Sequence, residues 1–279
     1  MDNLTRADGV RLAYSRQEGK GPTVVFLSGY MSDMTGGKAL ALDAWAARKG
    51  RAYLRFDYGG CGASEGRFED QTLAGWLADA LLLIDTIIQG PVVLVGSSMG
   101  GWLMLLAALA RPDRVVGLIG IAAAPDFTDW GYTQDQKLVI LSSGRLEQAS
   151  PYGPEPTVVT KAFWQSGEAH RLLHGPIAID CPVRLLHGQR DPDVPWHYST
   201  HLASLLRSDD VQVVLVKDGD HRLSRPQDLA MMIQDREGIC IYHMRFIYKA
   251  RNLVFDNYLS DYGIESGDSI SLCLSMRGC

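Results

Sequence analysis

Short apolar runs rich in β-branched residues recur along the chain, at Thr23–Ser28, Ala52–Asp57, Val92–Ser97, Val115–Ile121, Val183–His187 and Val211–Val216. They are apolar on both faces, as strands covered on both sides of a sheet must be. Longer stretches of helical character separate them: Lys38–Lys49, Leu73–Gln89, Met99–Ala110 and Tyr198–Arg207, with Pro226–Ile233 after the last strand. The alternation predicts an α/β fold, a mostly parallel sheet with helices on both faces. Val10–Arg16 (VRLAYSR) alternates polar and apolar positions instead, and is expected to be an antiparallel edge strand.

The rhythm breaks between Pro125 and Pro182, an insertion of roughly 55 residues carrying Phe127, Trp130, Tyr132, Tyr152, Phe163 and Trp164. Segments of that length in a compact domain are usually lids or binding elements, and helical pieces are expected at Gln134–Leu141 and Lys161–Leu173. The uncharged stretch from Val92 to Ala110 is nearly long enough to span a bilayer. Gly96-Ser97-Ser98-Met99-Gly100-Gly101 divides it, however, so it reads as a buried strand, a tight turn and a buried helix, with no transmembrane span. The chain has no internal repeat.

Composition narrows the function classes. With 279 residues, 46% apolar and 21% charged, the chain is long enough for one large domain, or for one domain and a small appendage, and disorder is excluded as its main state. A formal charge of -5 without a basic block argues against a nucleic-acid partner. Cys61, Cys181, Cys240, Cys273 and Cys279 are odd in number and form neither a CxxC pair nor a Cys/His ligand pattern, so no disulfide framework and no metal are expected. The start, Met1 to Asp8, carries two acids and no apolar run, and predicts a cytoplasmic protein without signal or transit peptide.

The chemistry gathers at Gly96-Ser97-Ser98-Met99-Gly100, a G-x-S-x-G elbow between an apolar strand and an apolar helix. Such a turn needs small neighbours because it holds the nucleophile in strained backbone geometry; the plain alternative is a glycine-rich strand-to-helix turn. A serine hydroxyl needs a base and a group that orients the base, in the chain order Ser, acid, His. The run Val183–His187 leads into Gly188-Gln189-Arg190-Asp191-Pro192-Asp193, and Val211–Val216 leads into Lys217-Asp218-Gly219-Asp220-His221. Both loops follow strand carboxyl ends, where open α/β sheets place ligands. His221 is the best base, since the other histidines fall in helical, edge or strand contexts. Asp191 is preferred to Asp193 because it comes first after the strand and Val194-Pro195 stiffens the next turn; turn capping is the alternative for either. For the oxyanion, the N–H of Met99 and that of Tyr30, in the Ser28-Gly29-Tyr30-Met31 loop, are the candidate donors.

Ser28–Ala41, Arg55–Ser64, Val95–Leu105, Arg184–Trp196 and Gly219–Arg222 together carry a family resemblance. On them, Met1 to about Met232 resembles the α/β-hydrolase superfamily, and more closely the abhydrolase-domain group of palmitoyl-protein thioesterases and acyl-glucuronide esterases. The resemblance implies an α/β-hydrolase domain over 1–232 with a helical lid at about 125–181, the nucleophile on Ser98, the acid on Asp191 and the base on His221. From Ile233 through Arg245-Phe246-Ile247-Tyr248 and Leu259–Ile264 to Ser271–Cys279, the chain is similar to the C-terminal part of ubiquitin. That similarity implies a truncated β-grasp segment over 233–279 without its N-terminal hairpin, with short strands at Met244–Tyr248 and Ser269–Leu274. The chain ends Gly278-Cys279, which does not support conjugation through a terminal glycine.

The expectation is a cofactor-free serine hydrolase acting on an ester or thioester of a hydrophobic acyl group. Its substrate would be a small molecule or an acylated protein. The alternative is an interaction protein, or a fusion product, in which the tail recruits partners and the hydrolase part is a scaffold.

Overall fold

The computed structural model describes residues 1–150, 153–154, 156–225 and 227–228, and the strand backbones at 244–248, 251–252 and 271–274. The chain divides into two compact units, Met1–Leu229 and Ala230–Cys279.

The first unit begins with β1 (Asp2–Thr5), β2 (Arg11–Gln17) and β3 (Lys20–Leu27), followed by α1 (Gly37–Lys49) and β4 (Arg51–Phe56). A short turn of 3₁₀-helix (Phe68–Asp70) leads to α2 (Leu73–Ile87), β5 (Val92–Ser97), α3 (Met99–Ala110) and β6 (Val115–Ile121). The insertion supplies α4 (Phe127–Trp130), α5 (Gln134–Ser143), β7 (Arg145–Gln148), β8 (Thr157–Thr160) and α6 (Lys161–Glu168). The sheet resumes with β9 (Val183–Gly188), α7 (His197–Leu205) and β10 (Val211–Val216).

Eight strands form one sheet in the order β1-β2-β4-β3-β5-β6-β9-β10. The pairs β1–β2 and β2–β4 are antiparallel and the other pairs are parallel. Because β4 lies on one side of β3 and β5 on the other, the loops leaving β3 and β5 diverge, which opens a crevice at their carboxyl ends. The stretch from Val92 to Ala110 is β5, the turn and α3, buried along most of its length. No helix among the described residues is long and apolar enough to cross a membrane.

Local chemistry sets the helix ends. The Thr72 and Thr160 hydroxyls accept the N–H of Gly75 and Phe163 and so cap α2 and α6. Thr133 and Gln136 make a reciprocal capping box on α5, and Gly144 ends that helix in left-handed geometry.

Two expectations need correction, and one element is unexpected. Val10–Arg16 is not the sheet edge: β2 is paired on both sides, and the edge is β1, whose short, mostly exposed run carries too little apolar pattern to read. The helix expected over Lys161–Leu173 stops at Glu168, because the N–H groups of Leu172 and Leu173 donate to the buried Asp126 carboxylate at the other end of the insertion. The insertion also contains an antiparallel hairpin, β7–β8, that its composition does not announce.

In the second unit, β11 (Met244–Tyr248), β12 (Arg251–Asn252) and β13 (Ser271–Leu274) form an antiparallel sheet in the order β12-β11-β13. Three short strands are all that is seen among its described residues, and a ubiquitin-like β-grasp fold is not supported. Of the helix expected over Pro226–Ile233, only Gln227 and Asp228 are described, and its extension to Gly238 lies outside the described residues.

All six tryptophans lie between Trp45 and Trp196, so intrinsic fluorescence reports the first unit. A Cβ on Gly100 would fall 2.1 Å from the Leu27 carbonyl oxygen, where α3 crosses β3. Gly100→Ala is therefore expected to destabilise this unit by about 2 to 3 kcal/mol in urea unfolding followed by tryptophan emission. An unchanged midpoint would show that α3 can retreat from the sheet at no cost.

Candidate active site

Ser98 sits at the junction of β5 and α3 with φ 54° and ψ -120°, a conformation that L-residues rarely adopt. The surroundings hold it there. Its N–H donates to Ile121 O at 3.0 Å, and its carbonyl accepts from Gly101 and Ala124 at 2.9 and 3.0 Å. The backbones of Gly96 and Gly100 pass so closely that a Cβ on Gly96 would lie 2.3 Å from the Gly100 carbonyl oxygen.

His221 and Asp191 arrive from the far side. Parallel pairing of β9 with β10 sets their following loops side by side, and the Arg190 N–H donates to Gly219 O at 2.9 Å. The contact needs glycine on both loops, since a Cβ on Gly188 would meet the Gly219 carbonyl oxygen at 2.3 Å. His221 then spans the crevice, its Nε2 3.1 Å from Ser98 Oγ and its Nδ1 2.8 Å from Asp191 Oδ2. The sequence-predicted Ser98, Asp191 and His221 are thus brought into one hydrogen-bonded line. Asp193 is exposed, and it is the Asp191 carboxylate that receives the imidazole.

The Asp191 side chain is fully buried, and both of its oxygens are engaged. Oδ1 accepts the N–H of Asp193 and Val194, at 2.9 and 2.8 Å. Oδ2 accepts from His221 and lies 3.2 Å from Nε2 of a second histidine, His187. Burial pushes the Asp191 carboxyl up, but donation from His187 and His221, the His221 charge and the Val194 N–H outweigh it and hold the group well below the usual carboxylate range. Asp191, Asp193 and His221 bring donor atoms within 4.8 Å of one another. The Asp191 oxygens are already taken by N–H donors, so the group is built to accept hydrogen bonds rather than to hold a cation.

Of the predicted oxyanion donors, Met99 is the first residue of α3 and Tyr30 lies in the loop after β3. That loop runs against the elbow, since a Cβ on Gly29 would meet Ser98 Cβ and Ser97 O at 3.4 Å. The Tyr30 hydroxyl donates to Val158 O in the insertion at 2.6 Å, and its ring packs against Phe68, Trp76, Phe127 and Phe163. Cys61 and Cys181 are free thiols, and burial pushes Cys61 up to about 12, which removes it as a nucleophile.

Sequence reasoning misses two residues near the site. Lys38 donates from Nζ to Arg222 O at 2.6 Å, tying α1 to the residue after His221; burial, then the Arg222 charge, bring its ammonium down to about 8 against the pull of Asp220. His187 reads as an ordinary strand residue. The signal that could find it is its place, in line with the strand end and four residues before Asp191.

Known proteins share this fold. The α/β-hydrolase fold family matches residues 22–143. The human palmitoyl-protein thioesterase ABHD10, mitochondrial, is 44% identical over 234 residues, 82% of this chain and 76% of that protein. The chain belongs to the α/β-hydrolase family. Solved structures agree: mouse α/β-hydrolase domain-containing protein 10 is 41% identical with a TM-score of 0.80, over 85% of this chain and 96% of that one. A protein of Agrobacterium vitis S4 described as a hydrolase is 40% identical with a TM-score of 0.80, over 85% of this chain and 97% of its own. This α/β-hydrolase is therefore an enzyme of the serine hydrolase kind. The cytoplasmic expectation is overturned, because the ABHD10 proteins of human, orangutan and cattle are named mitochondrial. That expectation rests on the first eight residues, and a compartment is not a property the folded domain encodes.

Two outcomes are expected. Ser98→Gly relieves the strained backbone and should raise stability by about 1 kcal/mol in urea unfolding; a loss would mean the elbow stores no strain. A carboxyl whose folded pKa is depressed adds stability above its unfolded value, about 4, and that stability is lost as pH falls through the folded value. The stability difference between the native chain and Asp191→Asn should therefore narrow below about pH 4. Curves that stay parallel into acid would contradict the assigned charge state.

Proposed function

We propose that this α/β-hydrolase cleaves thioesters or esters of hydrophobic acyl groups through an acyl-enzyme, with Ser98 as nucleophile, His221 as base and Asp191 as the group that orients it. The observation that carries the reading is His221, set between Ser98 Oγ at 3.1 Å and Asp191 Oδ2 at 2.8 Å. With Nδ1–H donated to Asp191, Nε2 is the acceptor for the Ser98 proton.

Ser98 Oγ attacks the acyl carbon while its proton passes to His221 Nε2. The N–H groups of Met99 and Tyr30 receive the oxyanion. His221 then protonates the leaving thiol or alcohol, and a water molecule, deprotonated by the same imidazole, releases the acid and restores Ser98.

The substrate class draws on different support. The ABHD10 relatives are named palmitoyl-protein thioesterases, and the insertion sets Phe127 and Phe163 against Tyr30, whose loop adjoins Ser98. An apolar cap over the crevice suits a long acyl chain, and depalmitoylation of a protein or small thiol is the reading that unites the two.

Labelling with a fluorophosphonate probe tests the chemistry. The full chain should be modified at Ser98, and Ser98→Ala and His221→Ala should lose the label. With acyl thioesters of increasing length, kcat/KM should rise by at least about tenfold from acetyl to long chains, as each added buried methylene contributes about 0.8 kcal/mol. A folded chain without label overturns the triad; a labelled chain that prefers acetyl overturns the acyl assignment.

A further inference from the structure

The orienting carboxylate has a partner that the proposed triad does not use. His187, at the end of β9, is completely buried, and each of its ring nitrogens has a polar neighbour. Nδ1 lies 2.6 Å from the hydroxyl of Ser199, itself buried on α7. Nε2 lies 2.9 Å from Val194 O and 3.2 Å from Asp191 Oδ2. Both Nε2 neighbours are acceptors, so Nε2 carries a proton, and Nδ1 accepts from Ser199.

From this geometry we infer that His187 is a positioning residue for catalysis, held in its Nε2–H tautomer by Ser199, with that N–H bonded to Val194 O and set beside the same Asp191 oxygen that receives His221. The inference deepens the hydrolase reading and rests on it. The line runs from Ser199 through His187 and Asp191 to His221 and Ser98. Its elements are independent: α7 supplies Ser199, β9 supplies His187, the next loop supplies Asp191, and the loop after β10 supplies His221.

The role comes from what Oδ2 must do. A carboxylate with one donor can rotate about its Cβ–Cγ bond. Asp191 has two backbone donors on Oδ1 and two imidazoles at Oδ2, which fixes the plane in which His221 Nδ1–H is received. The positive end of the His187 N–H also stands beside the oxygen that stabilises the imidazolium of His221. Taking that dipole away leaves a more basic carboxylate, which grips the His221 proton more tightly. The titratable groups that meet this carboxylate are His187, His221 and Asp193.

Steady-state kinetics of the full chain with a p-nitrophenyl acyl ester, as a function of pH, distinguish positioning from packing. His187→Leu removes the donor: kcat should fall about tenfold, the order of one hydrogen bond to a charged group, with KM within about twofold. The acid limb of kcat/KM should move to higher pH by roughly half to one pH unit. His187→Gln, whose amide nitrogen reaches roughly where Nε2 stands, should restore most of the rate and return the limb. Ser199→Ala, which frees the tautomer, should shift the limb in the same direction by less. If His187→Leu does not fold, Ser199→Ala decides, since a merely structural role predicts an unmoved limb there. A limb unmoved in His187→Leu and Ser199→Ala overturns the inference. Fluorophosphonate labelling of the unaltered chain runs alongside: an unlabelled Ser98 overturns the triad and this inference with it, whereas a labelled Ser98 with an unmoved limb overturns this inference alone.

Discussion

The closeness with which α3 approaches the sheet is the constraint on which the site depends. Gly96 and Gly100 pass within contact of each other's backbone, Gly100 lies on the Leu27 carbonyl, and Gly101 lies against Ala123. No side chain fits in these positions, so the first turn of α3 is pressed onto β3, β5 and the end of β6. Ser98 absorbs the geometric mismatch by taking positive φ. Strain of about 1 to 3 kcal/mol at such a residue persists only where the surroundings over-determine it. Here two hydrogen bonds to its carbonyl and one from its N–H do so.

The proposed acid and base are positioned by a different principle. Neither Asp191 nor His221 takes positive φ; their loops are extensions of two neighbouring parallel strands. What brings them together is that parallel strands end on the same side of a sheet, and that Gly188 and Gly219 let the two loops touch. Within the proposed triad, strain is thus confined to Ser98, while the carboxylate accepts from three N–H donors and has the His187 imidazole 3.2 Å from Oδ2. A buried carboxylate short of donors would be protonated or displaced.

That division explains what can be read from the amino-acid order. The strands at Val92–Ser97, Val115–Ile121 and Val211–Val216 and the helix at Met99–Ala110 coincide with the observed elements, because strands and helices packed on a core are largely apolar and end at glycine or polar residues. Ser98, Asp191 and His221 are legible because each stands at a turn directly after such a strand. His187 is not, because a histidine inside an apolar run looks like a tolerated core residue until its two neighbours, Ser199 and Asp191, are seen in space. β1 escapes notice because edge strands need little apolar pattern, and the hairpin β7–β8 because its pairing joins segments flanking a Pro- and Gly-containing stretch. The tail shows the opposite failure: local similarity to ubiquitin reads strongly, yet it does not establish a fold, since a sheet is made by non-local pairing.

Tyr30 joins the two halves of the problem. Its backbone belongs to the loop beside Ser98, while its side chain belongs to the insertion, through the hydroxyl on Val158 and the rings of Phe127 and Phe163. Burial pushes the phenol well above its ordinary range, so it stays a neutral donor to that carbonyl at any pH the protein experiences. Moving β8 away from the sheet would break a 2.6 Å hydrogen bond and separate the aromatic rings, and would remove the contacts that hold the loop beside the elbow. The neck of the insertion resists such movement, because Asp126 at its start binds the N–H groups of Leu172 and Leu173 near its end. The insertion therefore acts as part of the scaffold that fixes the Tyr30 loop.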